Sequence, residues 1–428
     1  MDIIREQLHA SVSDPVSSSM NFLNEVAERF PSAISLAAGR PFSAFFDPDD
    51  ITKYISLYRQ HLADSGQSPE SIRDALMQYG RTNGQIHGII AQLLATDENV
   101  HVAPEAIAVT AGCQEAMVIV LRGLCAGPED VLLAASPCYV GITGAARLLG
   151  IEVVPVPEGS GGLDPAEVTR VAAEVRRAGK RPKALYMVPN FSNPSGVSLP
   201  VATRQALLDA AAEAGLLILE DDPYGLFGLS ADPAPSLKSL DTDRRVIYLG
   251  SFAKSVFPGA RVGFLVADQQ VVDSAGRRTT LAAELSAIKS MLTVNTSPIS
   301  QAVIGGFLVE SGYSLRAANA DKIAFYQQNL RTLLSALDTH LGAIPGVSWN
   351  VPDGGFFAVV DVPVRADEAF LERSASKHGV LWTPMSFFYT DGGGSSSLRL
   401  SCSWPRPEEI TEGVRRLAQS LVDEMRDV

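Results

Sequence analysis

The run Ser251-Phe252-Ala253-Lys254-Ser255-Val256-Phe257-Pro258-Gly259-Ala260-Arg261-Val262-Gly263 places one lysine between a hydroxyl and an arginine in a turn-forming context. A lysine amine can condense with an aldehyde, while Ser251 and Arg261 can bind a phosphate, the arginine through its fixed fork of donors. These are the parts needed to hold a phosphate-bearing aldehyde covalently. Alone the run decides nothing, because lysines and arginines on loops ordinarily face solvent.

What could position such a lysine is an alternation of strands and helices. Apolar, β-branched-rich runs recur at 106–110, 131–135, 152–156, 184–188, 216–220, 245–249 and 261–266, and read as buried strands of a largely parallel sheet. Between them, 114–124 and 201–214 carry helical amphipathic patterns. The alternation predicts a doubly wound α/β layer structure. Past 310, Ile323, Tyr326, Leu330, Leu333, Leu334 and Leu337 mark a long helix, followed by strand-like 355–361 and 397–401, the texture of a smaller α+β domain. We expect an N-terminal segment over 1–85 packing with that smaller domain, a large domain over 86–310 and a C-terminal small domain over 311–428.

Ligands of an open parallel sheet sit outside the carboxyl ends of its strands. The unusual polar residues gather there. Thr110-Ala111-Gly112-Cys113-Gln114 leaves one strand and opens a helix, whose N-terminal amides favour an anion. Tyr139 follows the next strand, and Asn193-Pro194-Ser195-Gly196 forms a turn beyond 184–188. In Glu220-Asp221-Asp222-Pro223-Tyr224 an acid follows four apolar residues, so a cationic partner is expected for it.

Composition narrows the classes. A chain of 428 residues with 46% hydrophobic residues is long enough for a large buried site, and its net charge of −13, without clustered Lys/Arg, argues against nucleic-acid binding. Cysteines at 113, 125, 138 and 402 form no C-x-x-C pair and the six histidines no H-E-x-x-H, so no metal site is expected. No signal-peptide pattern or apolar span appears, and a reducing cytoplasm is the expected location.

Taken in order, Gly112-Cys113-Gln114, Tyr139, Asn193-Pro194-Ser195-Gly196, Asp221-x-x-Tyr224, Ser251-x-x-Lys254 with Arg261, and Arg399 in Leu398-Arg399-Leu400-Ser401 resemble the class I/II aminotransferases, fold-type I enzymes dependent on pyridoxal 5′-phosphate, over roughly residues 30 to 405. The resemblance implies a three-layer α/β fold with a mostly parallel central sheet. It implies ping-pong exchange of an amino group between an L-amino acid and a 2-oxo acid, through aldimine and pyridoxamine phosphate. Lys254 would hold the cofactor and then act as the base, and Asp221 would pair with the pyridine nitrogen. Asn193 and Tyr224 would bond the ring oxygen and Tyr139 would stack on the ring. Ser251, Arg261, Gln114 and the backbone of Gly112 and Cys113 would hold the phosphate, Cys113 standing where the family usually has Ser or Thr. Arg399 would clamp the substrate carboxylate, with Asn193 and the backbone of Gly39 beside it.

Tyr79 resembles the tyrosine that this family donates to the neighbouring subunit's phosphate, which implies a homodimer with shared sites, and Asn295-Thr296-Ser297 lies where relatives approach that phosphate. Met20-Asn21-Phe22-Leu23-Asn24-Glu25, Cys138 to Gly144 and Val256 to Arg261 look like antibiotic-pathway transaminases for nonproteinogenic amino acids, of the dihydroxyphenylglycine (arylglycine) or enduracididine type. Phe22, Arg40, Trp382, Phe387 and Phe388 are the candidate side-chain contacts. Two alternatives share the motifs: a decarboxylase, lyase or oxidase using the same cofactor, and a ligand-sensing domain without catalysis, for whose DNA-binding module Met1 to Ser35 is too short.

Overall fold

A computed structural model describes residues 3–13, 15–230 and 232–427; the side chains of 6, 10, 13–21 and 427, among them Met20 and Asn21 of the run quoted above, lie outside the described residues. The seven expected strands are present as β1 (Ile107–Thr110), β2 (Asp130–Ser136), β3 (Glu152–Gly159), β5 (Arg181–Met187), β6 (Leu217–Asp221), β7 (Val246–Ser251) and β8 (Gly263–Val266), joined by a two-residue strand β4 (Gly162–Leu163). They form one sheet in the order β1-β8-β7-β6-β5-β2-β3-β4. Every residue of β1, β2 and β8 is buried, as strands covered by helices on both faces must be.

Pairing is parallel from β7 through β6, β5 and β2 to β3, whereas β8 runs antiparallel to both β7 and β1. That reversal positions the site. The start of β8, not its end, lies at the carboxyl edge of the other strands, with Gly263 opposite both Ser251 and Thr110. Arg261 therefore enters the sheet edge beside the lysine loop and the turn after β1.

A second sheet is built from β9 (Ser348–Trp349), β10 (Phe357–Asp361), β11 (Thr383–Pro384) and β12 (Ser397–Ser401), all antiparallel in the order β9-β10-β12-β11. Helices Ala320–Leu341 and Pro407–Asp427 cover it with Leu330, Leu333 and Leu337 and with Ile410, Val414, Leu417 and Leu421, spaced to lie on one helical stripe each. The first 85 residues divide between the two cores. Ile34–Ser35 pairs with Val380–Leu381 beside the second sheet, while Asp49–Asp64 packs on Pro298–Glu310 and the first. Among the described residues no helix is long and apolar enough to cross a membrane.

Candidate active site

A cavity of about 770 Å³ opens at the carboxyl edge of the large sheet, between it and β12. Its wall includes Gly39, Cys113, Gln114, Tyr139, Asn193, Asp221, Tyr224, Ser251, Lys254, Arg261 and Arg399, so residues spread over 360 positions of sequence meet in one space. Gly112 lies directly behind Arg261 and Tyr79 lies elsewhere.

Asp221 ends β6 and is buried. Of three consecutive acids it alone lines the cavity: Glu220 accepts from the backbone N–H groups of Leu237 and Lys238, and Asp222 from Asn190 and the Gly225 amide. Alternation along the strand produces this split. The Tyr186 hydroxyl donates to Asp221 Oδ2 at 2.7 Å and the Cys113 thiol to Oδ1 at 3.4 Å. Burial pushes the carboxyl up to about 6 and these two donors pull against it. Among the described residues no cation of the protein forms an ion pair with Asp221, so the cationic partner expected for it is not a side chain. A buried carboxylate served only by neutral donors is one that a cationic ring nitrogen would complete.

Lys254 follows β7, and its Nζ donates to the Gly39 carbonyl at 2.7 Å. Burial first, then the positive charges of Arg399 and Arg261, lower its pKa to about 8, which brings a neutral, nucleophilic amine within reach near neutral pH. Tyr224, also buried, is pushed upward by desolvation, and burial brings Tyr139 to about 12. Both phenols stay protonated as donors.

The turn after β1 forms a cradle. Gly112 adopts φ of 77°, and a Cβ there would come within 2.5 Å of an Arg261 guanidinium nitrogen. A Cβ on Gly263 would sit 2.7 Å from the Cys113 amide nitrogen. Glycines thus let the Arg261 side chain and the N-terminus of helix Cys113–Leu124 converge on one spot, a pairing of guanidinium with helix-end N–H groups that suits a phosphate. Ser251 adds a hydroxyl whose oxygen accepts from the Ala253 amide. The Gln114 side chain donates to the Gly141 carbonyl at 2.8 Å along the same wall.

Arg399, in the middle of β12, is buried against the rings of Phe357 and Phe388, 4.3 and 4.8 Å from their centres. It donates to Asn193 Oδ1, to the Ala37 carbonyl at 2.9 Å and to Thr383 Oγ1 at 3.3 Å, while its Nε has no partner. Burial lowers its pKa to about 10, so it remains a cation. An orphaned N–H on a buried guanidinium suits an incoming carboxylate.

The remaining candidates fall in different places. Phe22 packs into the core around the second sheet, while its neighbours Leu23 and Asn24 line the cavity. Phe387 does not line the cavity, whereas Trp382, Phe388 and Arg40 do. Thr296 is buried and donates to the Val109 carbonyl, and Ser297 caps helix Pro298–Glu310, so neither lines this chain's cavity. Tyr79 is 85% exposed. Tyr186 was not singled out by its sequence context. The available signal was a hydroxyl inside an otherwise apolar buried strand, which must find a partner. No group of three or more potential metal ligands occurs among the described residues.

Residues 64–417 match the family model of aminotransferases class I and II. The chain belongs to that family. It is 49% identical over 98% of its length to a (S)-3,5-dihydroxyphenylglycine transaminase of Amycolatopsis orientalis, 95% of which is covered. Among solved structures it is similar to the multiple substrate aminotransferase of Thermococcus profundus (TM-score 0.84, 28% identity, 99% of both chains). It is also similar to the α-aminoadipate aminotransferase of Thermus thermophilus complexed with N-(5′-phosphopyridoxyl)-L-leucine (TM-score 0.78, 29% identity, 99% of both chains). The protein is an aminotransferase of fold-type I that depends on pyridoxal 5′-phosphate, and the decarboxylase, lyase, oxidase and sensor alternatives gain no support.

Proposed function

We propose that this aminotransferase takes its amino group from a nonproteinogenic amino acid of the arylglycine type, in the assembly of a peptide natural product, and works in the cytoplasm. The observation that carries the substrate class is the 49% identity to the dihydroxyphenylglycine transaminase along nearly the whole chain. A cavity with Phe388, Trp382 and Trp404 on its wall agrees with an aromatic side chain. An enduracididine-type substrate is the second member of the class to compare.

Pyridoxal phosphate, when bound, supplies an electron sink that stabilises charge at the substrate Cα. The residues on the cavity wall have separable tasks. Lys254 would hold the cofactor through its amine and, once released by the substrate, would serve as the base that takes the Cα proton and the acid that gives it back. Asp221, oriented by Tyr186 and Cys113, would keep a proton on the ring nitrogen. Asn193 and Tyr224, 3.5 Å apart, would donate to the ring oxygen, and Tyr139 would stack on the ring. Gly112, Cys113, Gln114, Ser251 and Arg261 would hold the phosphate. Arg399, with Asn193 and the Gly39 backbone alongside, fixes the α-carboxylate, and that alignment selects which Cα bond breaks.

The division into a large body over 86–310 and a small C-terminal domain over 311–428 belongs to the same reading. So does a homodimer. Met77, Tyr79, Met291, Leu292 and Val294 are each more than half exposed, and Gly80 neighbours Asn295, so an apolar patch surrounds the tyrosine expected to cross to a partner site. A screen of amino donors against one 2-oxo acid tests the substrate class: arylglycines are expected among the best donors, and a preference for arginine-derived donors would overturn it.

A further inference from the structure

At the exposed side of the cavity wall, the Arg40 guanidinium lies 3.7 Å from the centre of the Trp404 ring. The two are held in register by Ser403, a fully buried residue whose hydroxyl donates to the Arg40 carbonyl at 2.8 Å and to the Ala38 carbonyl at 3.3 Å. Among the described residues the Arg40 side chain has no carboxylate partner and no hydrogen bond. Stacking holds its face and leaves its N–H edge open. Leu23, Ala27 and Pro405 line the same cavity, as does Glu409, which accepts from the Arg406 amide at 2.8 Å. With Lys254, Arg261 and Arg399 also on its wall, the space is lined by basic side chains.

From this geometry we infer that Arg40 is the specificity residue of the substrate side chain: it donates hydrogen bonds to ring hydroxyl oxygens of a hydroxylated aryl group lying against Trp404, and it repels cationic side chains. The inference rests on the arylglycine reading above and goes beyond it by naming the residue that recognises the hydroxyls. It also separates the two substrate types, since a cyclic guanidine brings a positive charge to a site already cationic, whereas phenolic oxygens bring acceptors.

Kinetics of the holoenzyme with 3,5-dihydroxyphenylglycine, phenylglycine and arginine as donors, for wild type, Arg40→Leu and Arg40→Lys, test it. For Arg40→Leu we expect kcat/KM to fall about 10- to 100-fold with the dihydroxy donor, mainly through KM, and at most about 3-fold with phenylglycine, because a site built to bond a hydroxyl loses most when that bond is removed. Arg40→Lys recovers part of the loss, and relative activity with arginine rises in Arg40→Leu. An unchanged donor preference in Arg40→Leu, or equal losses with both arylglycines, would overturn the inference; the cofactor absorbance of each variant reports whether it is folded. A wild-type enzyme that accepts neither arylglycine overturns the substrate reading itself, a different result from an enzyme that accepts both without regard to residue 40.

Discussion

At the inner end of the cavity Asp221 is gripped by two hydrogen bonds from side chains on other elements, and Lys254 by one from its amine to a backbone carbonyl. At the exposed side Arg40 is held by a ring face, with its donors unspent. Inner groups perform the same chemistry for every substrate, so they are pre-aligned and buried, and their acid–base properties are set by desolvation. An outer group must answer to the side chain that varies, and it is placed without being saturated. Fixed chemistry and adjustable recognition thus share one space.

Breaking the inner end should have the largest effect. Lys254→Ala removes the proposed covalent attachment point and base, and we expect turnover to fall by at least about 10⁴-fold, with no cofactor fixed to the chain by borohydride reduction in the mass spectrum. Full activity with cofactor still trapped would assign the lysine elsewhere. Next, Tyr186→Phe deletes one of the two donors to a buried carboxylate. A hydrogen bond to a charged group is worth about 1.5–3 kcal/mol, so kcat should fall roughly 10- to 100-fold, and because the carboxylate loses stabilisation its pKa rises, moving the acid limb of the pH–rate profile upward. A purely structural role for the tyrosine would leave that limb in place.

The pH dependence of cofactor capture sharpens the comparison more gently. Lys254 is lowered to about 8, so the reactive neutral amine is the minor form at pH 7 and the major form above 8. Capture by cofactor-depleted enzyme should quicken about 5-fold between pH 7 and 8 and less than about 2-fold from 8 to 10. A rate still climbing about 7-fold between pH 9 and 10 would show an ordinary exposed lysine.

Much of this was readable in advance. Buried strands announce themselves as apolar runs, and all seven expected runs are strands, although β3 toward the edge of the sheet is only partly buried and so departs from the expectation of a covered strand. Residues at strand ends were readable as site candidates for the same reason: a polar residue directly after a buried strand has few places to be except the sheet edge. The antiparallel direction of β8 was not readable, since strand direction leaves no local trace in periodicity, although it is what brings Arg261 to Gly112. Tyr186 was hidden inside a strand that looked purely structural. Phe22 and Leu23 pack against the same core, and only Leu23 also reaches the cavity wall, a distinction that no local pattern carries. The Arg40–Trp404 stack joins residues 364 positions apart, a contact that no local pattern encodes.

The most direct test of the account is a single half-reaction. Holoenzyme mixed with 3,5-dihydroxyphenylglycine alone should convert completely from the aldehyde to the amine form of its cofactor, read by absorbance, and addition of a 2-oxo acid should restore the starting spectrum. Conversion without return, or release of carbon dioxide in place of the oxo acid, would contradict it.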